Sequence, residues 1–354
     1  MGLLKNIKYN FMFWKFKKQK FGTGALQDPI DTRDFRYEEV ASAGEPVDWK
    51  KGYDIEKELN FTLPFKNQNG SSACVGEAWS YYIAILNLVE TGIYSEASAK
   101  AIYSQISVGF GKGAFIRDGG KLSVNWGSLY EYECPSYMSK GNAERIAPDE
   151  AFMTDKDWKT PELDRIAKIL QAKEYRTFDA GKNMDLFAMA IRDNHGVVGG
   201  VNGDGKSGWN TNEPTPPETR VWGHGLYWGK FGIDEIGKFV ATPNSWGNVQ
   251  RKKDALHPDG WQKLREDYFD SPHMFNPWTL VDKPNAQDES ENVMSNVKLI
   301  KDKNSKAVGF WLPAVSEDGL RSMALNYGYK IPLKANGTVD WEKVKFDGLA
   351  TLIK

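Results

Sequence analysis

The stretch that decides the fold is Gln68-Asn69-Gly70-Ser71-Ser72-Ala73-Cys74-Val75-Gly76-Glu77-Ala78, where a loop of small residues runs into an apolar segment. Residues 74–90 contain no proline and are apolar on most sides, and Gly92 stands where a helix would end. A helix that is apolar all round is a buried helix. The sequence therefore predicts a buried helix that begins at Cys74.

A cysteine at the first position of such a helix has a distinctive chemistry. A helix N-terminus carries about half a positive charge and several unpaired N–H groups. These groups stabilise a thiolate, so we expect the pKa of Cys74 to fall below the usual ~8.5. They can also stabilise an oxyanion beside the sulfur. Cys74 is therefore a candidate nucleophile, and the alternative is an ordinary buried cysteine.

A cysteine nucleophile needs a base whose tautomer is fixed. His224 lies at the head of a strand-like run, and Asn244 follows it within Asn244-Ser245-Trp246-Gly247. A hairpin turn predicted at 234–237 would place two antiparallel strands side by side and bring the two side chains together. The remaining histidines, one in a predicted loop and two after Asn244, are His195, His257 and His273.

Together these segments resemble the papain family of cysteine peptidases. That family has a glutamine six residues before its catalytic cysteine, then a Gly-His segment, then Asn-Ser-Trp-Gly, and this chain has all three in that order. The resemblance implies that Cys74 is the nucleophile, His224 the base and Asn244 the residue that orients the base. It also implies an oxyanion hole formed by the Gln68 side chain and the Cys74 N–H.

The resemblance further implies which residues contact a peptide or protein substrate. Trp246 would shield the His–Asn hydrogen bond from water, and Gly223 precedes the base. The segment 116–120 falls where the family places a glycine wall against the substrate backbone. The expected substrate-binding residues are Gly119, Gly120, Trp246 and Gly223.

The nucleophile segment departs from the family at several positions. Ser71 replaces a disulfide cysteine, Val75 replaces a tryptophan and Glu77 a phenylalanine. The chain has two cysteines, Cys74 and Cys134, and we expect both thiols to be free. The departures affect the expected shape of the cleft more than its chemistry.

The predicted architecture is α+β: a papain-like, two-lobed fold with a helical lobe, an antiparallel β-barrel-like lobe and a cleft between them. We expect a basic tail at 1–27, the peptidase domain at 28–280, a linker at 281–296 and a small C-terminal module at 297–354, whose role and partner stay open. About 27 residues precede the domain, where the family has a long inhibitory pro-segment. Either the enzyme is not held as a zymogen, or the tail or the module does that work.

Composition excludes several other classes. The net charge of −1 gives no argument for nucleic acid, and no metal-binding spacing is present, so neither metal nor cofactor is expected. No apolar run reaches the ~20 residues of a membrane helix. The lysine-rich tail could dock on a membrane surface or a protein, and a cytoplasmic or virion-associated location is expected.

Two rival functions stay open at this point. One is a peptidoglycan-cleaving Cys-His hydrolase, which would use the same chemistry on a related fold. The other is a papain-like shell without activity that serves binding or forms part of an assembly such as a phage particle.

Overall fold

The computed structural model describes residues 22–41, 46–140, 144–146, 149–179, 183–247, 253–281, 298–301 and 307–311. The first half of the described chain is mainly helical and the second half mainly antiparallel sheet, which confirms the predicted α+β class. None of the described helices is long and apolar enough to cross a lipid bilayer.

The helices are short, apart from α3. Their bounds are α1 Glu38–Ala41, α2 Ile55–Glu58, α3 Cys74–Thr91, α4 Ala99–Ile106, α5 Ile116–Asn125, α6 Glu150–Thr154, α7 Pro161–Ile166, α8 Met184–Asn194 and α9 Glu266–Asp270. The strands are β1 Ala25–Leu26, β2 Tyr53–Asp54, β3 Ala114–Phe115, β4 Met138–Lys140, β5 Glu144–Ile146, β6 Glu174–Thr177, β7 Val197–Gly203, β8 Trp222–Trp228, β9 Lys230–Ile233, β10 Lys238–Thr242, β11 Gln262–Arg265, β12 Met274–Val281, β13 Lys298–Lys301 and β14 Ala307–Trp311.

Helix α3 begins at Cys74 and ends at Thr91, as predicted, and residues 74–88 are buried. Gly92 ends it with a φ of 70°, and its N–H donates to the Leu88 carbonyl. Glycine enters this left-handed conformation without the steric cost that a side chain would bring. The helix is therefore the central element of the first hydrophobic core.

The first turn of α3 packs directly on strand β8. A Cβ atom built on Gly225 would lie 3.2 Å from the Cα atom of Val75 and 3.3 Å from its nitrogen. A side chain at position 225 would push the strand and the helix apart. The glycine therefore brings His224, its neighbour on β8, to the start of α3.

Two four-stranded sheets form the second half, in the orders β6-β12-β7-β8 and β11-β10-β9-β2. A second core, separate from that around α3, lies between α8 and these sheets; it includes Phe187, Val201, Trp228, Leu264 and Tyr268. The two cores correspond to the two lobes expected from the sequence.

The predicted hairpin turn at 234–237 connects β9 and β10, with Asp234 and Gly237 bonded to each other through their backbones. One continuous strand was expected at 221–231, but the structure divides it into β8 and β9, which lie in different sheets. His224 lies on β8, which pairs with β7, whereas Asn244 follows β10 in the other sheet. The two side chains meet where the sheets adjoin, rather than across one hairpin.

Thr160 as a cap, Pro161 in the first turn and a shared apolar face predict a helix at 161–173. The structure has α7 followed by a 3₁₀ turn at Ala167–Leu170, which ends three residues earlier. The Thr160 side chain accepts from the Leu163 N–H, as expected of a cap. The short apolar run at 197–201 predicts a strand, and the structure has β7 there, at Val197–Gly203.

Most of the predicted tail and the whole linker lie outside the described residues, at 1–21 and 282–297. Of the predicted C-terminal module, the structure describes the antiparallel pair β13 and β14. The domain boundaries therefore stay predictions.

Candidate active site

Cys74, the candidate nucleophile, is the first residue of α3 and has no exposed surface. Neither Cys74 nor Cys134 is in a disulfide, as expected. The four orphan N–H groups of the first helical turn lie around position 74, because no earlier turn supplies acceptors for them. The local fold therefore places the thiol at the positive end of the helix dipole.

His224 and Asn244 form a buried pair beside this helix end. The imidazole Nε2 lies 2.8 Å from the Asn244 Oδ1 atom. The Ser245 N–H donates to the same Oδ1 at 2.5 Å, so this amide atom is an acceptor and the imidazole must donate to it. His224 therefore carries its proton on Nε2 when neutral, and Nδ1 is then the ring nitrogen that can accept a proton.

Three tryptophans, which we call the tryptophan shell, surround the His224 ring. Trp246 stacks on it with ring centroids 4.5 Å apart and an angle of 26° between the planes. Trp209 and Trp222 meet it edge-on at 6.2 and 6.5 Å. The shell keeps water from the His–Asn hydrogen bond, the role expected of Trp246. Sequence reasoning missed Trp209 and Trp222, because no motif marks them.

Gln68, the candidate oxyanion residue, is fully buried, and hydrogen bonds hold both its side-chain amide and its backbone. The Ser245 hydroxyl donates to Oε1 at 2.5 Å, and the Gln68 backbone N–H donates to the Ser245 carbonyl at 2.8 Å. The Nε2 atom therefore points away from Ser245 and donates to the carbonyls of Ser71 and Gly22. The sequence motif contains Ser245 but does not show this contact.

The segment Gly22–Leu26, which we call the strap, lies across these residues. The Gly22 carbonyl accepts from Gln68 Nε2 and from the Trp246 ring N–H, both at 3.1 Å. The Gly24 N–H donates to the Gly223 carbonyl at 3.0 Å. The strap is thus bonded to both sides of the site.

The other end of the strap is held by β3. The Ala114 N–H donates to the Gly24 carbonyl at 2.9 Å, and β1 pairs with β3 in parallel. Beyond the strap, the Asp28 carboxylate accepts from the Arg117 N–H and the Trp278 ring N–H. The strap is therefore continuous with an anchored part of the domain.

The fit between the strap and the loop before α3 leaves no room for side chains at two positions. A Cβ atom on Gly22 would lie 1.7 Å from the Ser71 carbonyl oxygen, and one on Gly24 would lie 2.3 Å from that of Ser72. Real Cβ atoms do not approach backbone atoms so closely. Two glycines therefore allow the strap to cover Cys74.

The covered thiol does not have the low pKa that the sequence led us to expect. Burial raises the pKa of Cys74 to about 11, although the backbone amides of Gly225 and Gly24 act in the opposite direction. Removing water disfavours the thiolate more than these N–H groups favour it. Burial therefore favours the neutral thiol.

Gly119 and Gly120, the residues of the expected glycine wall, face a neighbouring helix. Both residues are inside α5, where a Cβ atom on Gly119 would lie 2.1 Å from the Trp79 ring. They allow α5 to pack on α3 and do not contact the strap. The Ala114 N–H on β3 contacts one side of the strap, and Gly223 and Trp246 contact it on the other.

No group of histidine, cysteine, aspartate or glutamate side chains in the described part of the chain could hold a metal ion. The described residues supply instead a buried thiol at a helix start, an imidazole with a fixed tautomer and the side-chain amide of Gln68.

No family model matches the sequence, and no curated protein matches it. Solved structures do match. Xylellain, a cysteine protease from Xylella fastidiosa, superposes with a TM-score of 0.58 and 21% identity, over 75% of this chain and 97% of that one. Procathepsin B S9 from Trypanosoma congolense gives 0.53 and 13%, over 74% and 87%. Digestive procathepsin L 3 of Tenebrio molitor gives 0.51 and 11%, over 73% and 75%. The chain therefore has the two-lobed papain-like fold of cysteine proteases.

Proposed function

We propose that this protein is a cysteine peptidase that hydrolyses peptide bonds, and that the strap closes its site. The observation that carries the proposal is the buried His224–Asn244 hydrogen bond on a strand that packs, through Gly225, against the helix turn that begins at Cys74. A neutral imidazole with its proton on Nε2 can act as a base through Nδ1. A structural cysteine would not require a base whose tautomer is fixed in this way.

The reaction follows from these positions once the strap has left. Nδ1 of His224 takes the thiol proton, and the sulfur of Cys74 attacks the peptide carbonyl. The oxygen of the tetrahedral intermediate accepts from Gln68 Nε2 and the Cys74 N–H. The imidazolium then protonates the leaving amine, and a thioester remains. Water, deprotonated by the same imidazole, hydrolyses the thioester and restores the thiol.

The position of the strap supports the idea that the described state is closed. The Gly22 carbonyl accepts a hydrogen bond from Gln68 Nε2, which is the donor that a substrate carbonyl would need. Cys74 has no surface open to a substrate. We therefore propose that residues 22–26 must move away before hydrolysis can occur.

The test compares three full-length proteins on an unfolded, dye-quenched protein substrate. The first is wild type. The second is the double variant Gly22→Ala/Gly24→Ala, in which two Cβ atoms clash with backbone carbonyls and displace the strap. The third is Gly205→Ala, a matched control whose Cβ atom meets open space. We expect the double variant to hydrolyse the substrate at least about 100-fold faster than either other protein. Adding Cys74→Ala to the double variant should abolish this activity.

Iodoacetamide labelling of Cys74, mapped by mass spectrometry, shows whether the strap has moved. A double variant whose Cys74 is labelled rapidly but which cuts no peptide bond would overturn the proposal. A parallel digest of peptidoglycan distinguishes the two possible hydrolase reactions. If the double variant cuts peptidoglycan but not the protein substrate, the protein is a peptidoglycan hydrolase and not a peptidase.

A further inference from the structure

The Asn244 amide is bonded on both of its ends. Its Oδ1 atom accepts from His224 Nε2 and from the Ser245 N–H. Its Nδ2 atom therefore points the other way, and it donates to the Oε1 atom of Gln262 at 2.5 Å. Asn244 and Gln262 have exposed fractions of 3% and 4%, so water does not offer an alternative acceptor.

The orientation of Gln262 is itself determined by main-chain acceptors. Its Nε2 atom donates to the carbonyls of Trp209 at 3.1 Å and Thr211 at 2.6 Å. A reversed amide would place Oε1 against these two carbonyl oxygens and Nε2 against the Asn244 NH₂ group. Both contacts would be repulsive, because neither pairs a donor with an acceptor. Gln262 can therefore present only an oxygen to Asn244.

The turn that supplies these carbonyls, Trp209–Thr211, is attached to the same strand. The Lys263 N–H on β11 donates to the Asn212 carbonyl at 2.8 Å. The Trp209 ring packs edge-on against His224, and its N–H donates to the Tyr268 hydroxyl at 2.8 Å. The turn thus contacts the imidazole with a side chain and orients the Asn244 amide through Gln262.

We propose that Gln262 is a positioning residue for the catalytic base: it fixes the Asn244 amide so that oxygen, not nitrogen, faces His224. This inference rests on the proposed function. Without Gln262, a rotated Asn244 amide would present NH₂ to the imidazole. The neutral ring would then carry its proton on Nδ1, and Nδ1 could not accept the thiol proton.

The first experiment measures the tautomer directly and needs no activity. Full-length protein labelled with ¹⁵N-histidine gives ring nitrogen signals for four histidines, and His224→Ala identifies those of His224. We expect a slowly exchanging Nε2–H in wild type. In Gln262→Leu, which fills similar volume without polar atoms, we expect an Nδ1–H population or Nε2–H exchange at least about tenfold faster.

The second variant distinguishes positioning from packing. Gln262→Glu keeps the shape, and burial favours a protonated carboxyl at this site. A protonated carboxyl can still accept from Asn244 and donate to Thr211, so we expect the wild-type tautomer. Gln171→Leu is the matched control, because Gln171 donates to the main-chain Val124 carbonyl far from the site. Unchanged His224 signals in Gln262→Leu would overturn the inference, as would a Gln262→Glu protein as altered as Gln262→Leu.

Kinetics in the Gly22→Ala/Gly24→Ala background give the functional measure. We expect Gln262→Leu to lower kcat about tenfold with KM within about twofold, because ground-state binding does not use the imidazole. Gln262→Glu should stay within about threefold of its parent. If the parent hydrolyses nothing, the proposed function fails while the tautomer measurement still decides the role of Gln262.

Discussion

The two sides of the cleft are built in different ways. The nucleophile wall, residues 68–75, consists mainly of small residues whose backbone forms the surface, and the glycines of the strap fit against it. The base wall consists of His224 and Asn244 with Gln262 and the tryptophan shell, and side chains bonded to side chains form it. Ser245 links the walls, because its hydroxyl donates to Gln68.

The two walls therefore have different roles in the proposed function: the nucleophile wall controls access to Cys74, and the base wall holds His224 in the tautomer that the reaction needs. The nucleophile wall fits closely against a backbone segment because it presents the carbonyls of Ser71 and Ser72 to the strap, and burial favours the neutral form of the Cys74 thiol. The base wall holds its geometry through buried amides and rings bonded to one another, and the strap adds contacts to Trp246 and Gly223. Displacing the strap should therefore change the thiol greatly and the base very little.

The largest expected effect concerns the thiol. Because burial raises the pKa of Cys74 to about 11, the thiolate fraction of wild type should rise about tenfold per pH unit between pH 7 and 10. Displacing the strap restores water and lowers this pKa, so Gly22→Ala/Gly24→Ala should be alkylated about 100-fold faster at pH 8. Iodoacetamide rates from pH 6 to 10 measure both. Cys134, whose pKa burial raises to about 12, should not change. Equal Cys74 rates in the two proteins would contradict the coverage argument.

The next effect concerns the link between the walls. In the strap-displaced background, Ser245→Ala removes the hydroxyl that holds Gln68 Oε1, and the amide can then turn its oxygen toward the oxyanion. We expect kcat to fall about tenfold with little change in KM, because the lost interaction acts on the transition state. Steady-state kinetics measure this. Ser123→Ala is the control, since that buried hydroxyl donates to the Gly119 carbonyl within α5. If kcat of the control falls as much as that of Ser245→Ala, the effect comes from a general loss of packing and not from the contact with Gln68.

The smallest effect concerns the charges behind the nucleophile wall. Burial, and then the neighbouring Glu96, raise the pKa of Glu131 to about 8 in the folded state from an ordinary 4.5. The folded state therefore binds this proton more tightly than the unfolded state, and the stability that results is lost as pH rises from 4.5 to 8.

Glu131→Gln should abolish that loss while keeping the acceptor for the Ser136 N–H. Its free energy of unfolding should exceed that of wild type by about 1 kcal/mol or more at pH 8, and by less at pH 5. Urea unfolding at both pH values measures the difference, and exposed Glu235→Gln serves as the control. If the difference in free energy of unfolding between Glu131→Gln and wild type is the same at both pH values, the proton on Glu131 is not the cause of the pH dependence.

Much of the nucleophile wall could be predicted because its signals are local. Helix α3 follows from the run after Cys74 and from Gly92, which lie within one segment. The glycine wall expected at Gly119 and Gly120 stays a prediction, because glycines serve both close helix packing and substrate approach. A sequence does not tell these uses apart, whereas the Trp79 ring beside Gly119 does.

The sequence by itself determined the identity and order of Gln68, Cys74, His224 and Asn244, since short motifs specify them. Tertiary structure decided which groups surround them. The strap's position, the raised pKa of Cys74 and the Gln262 contact depend on residues more than 40 positions from Cys74, and burial and hydrogen-bond polarity are properties of the assembled neighbourhood. A helix start can favour a thiolate, but only the packed chain shows whether water reaches it.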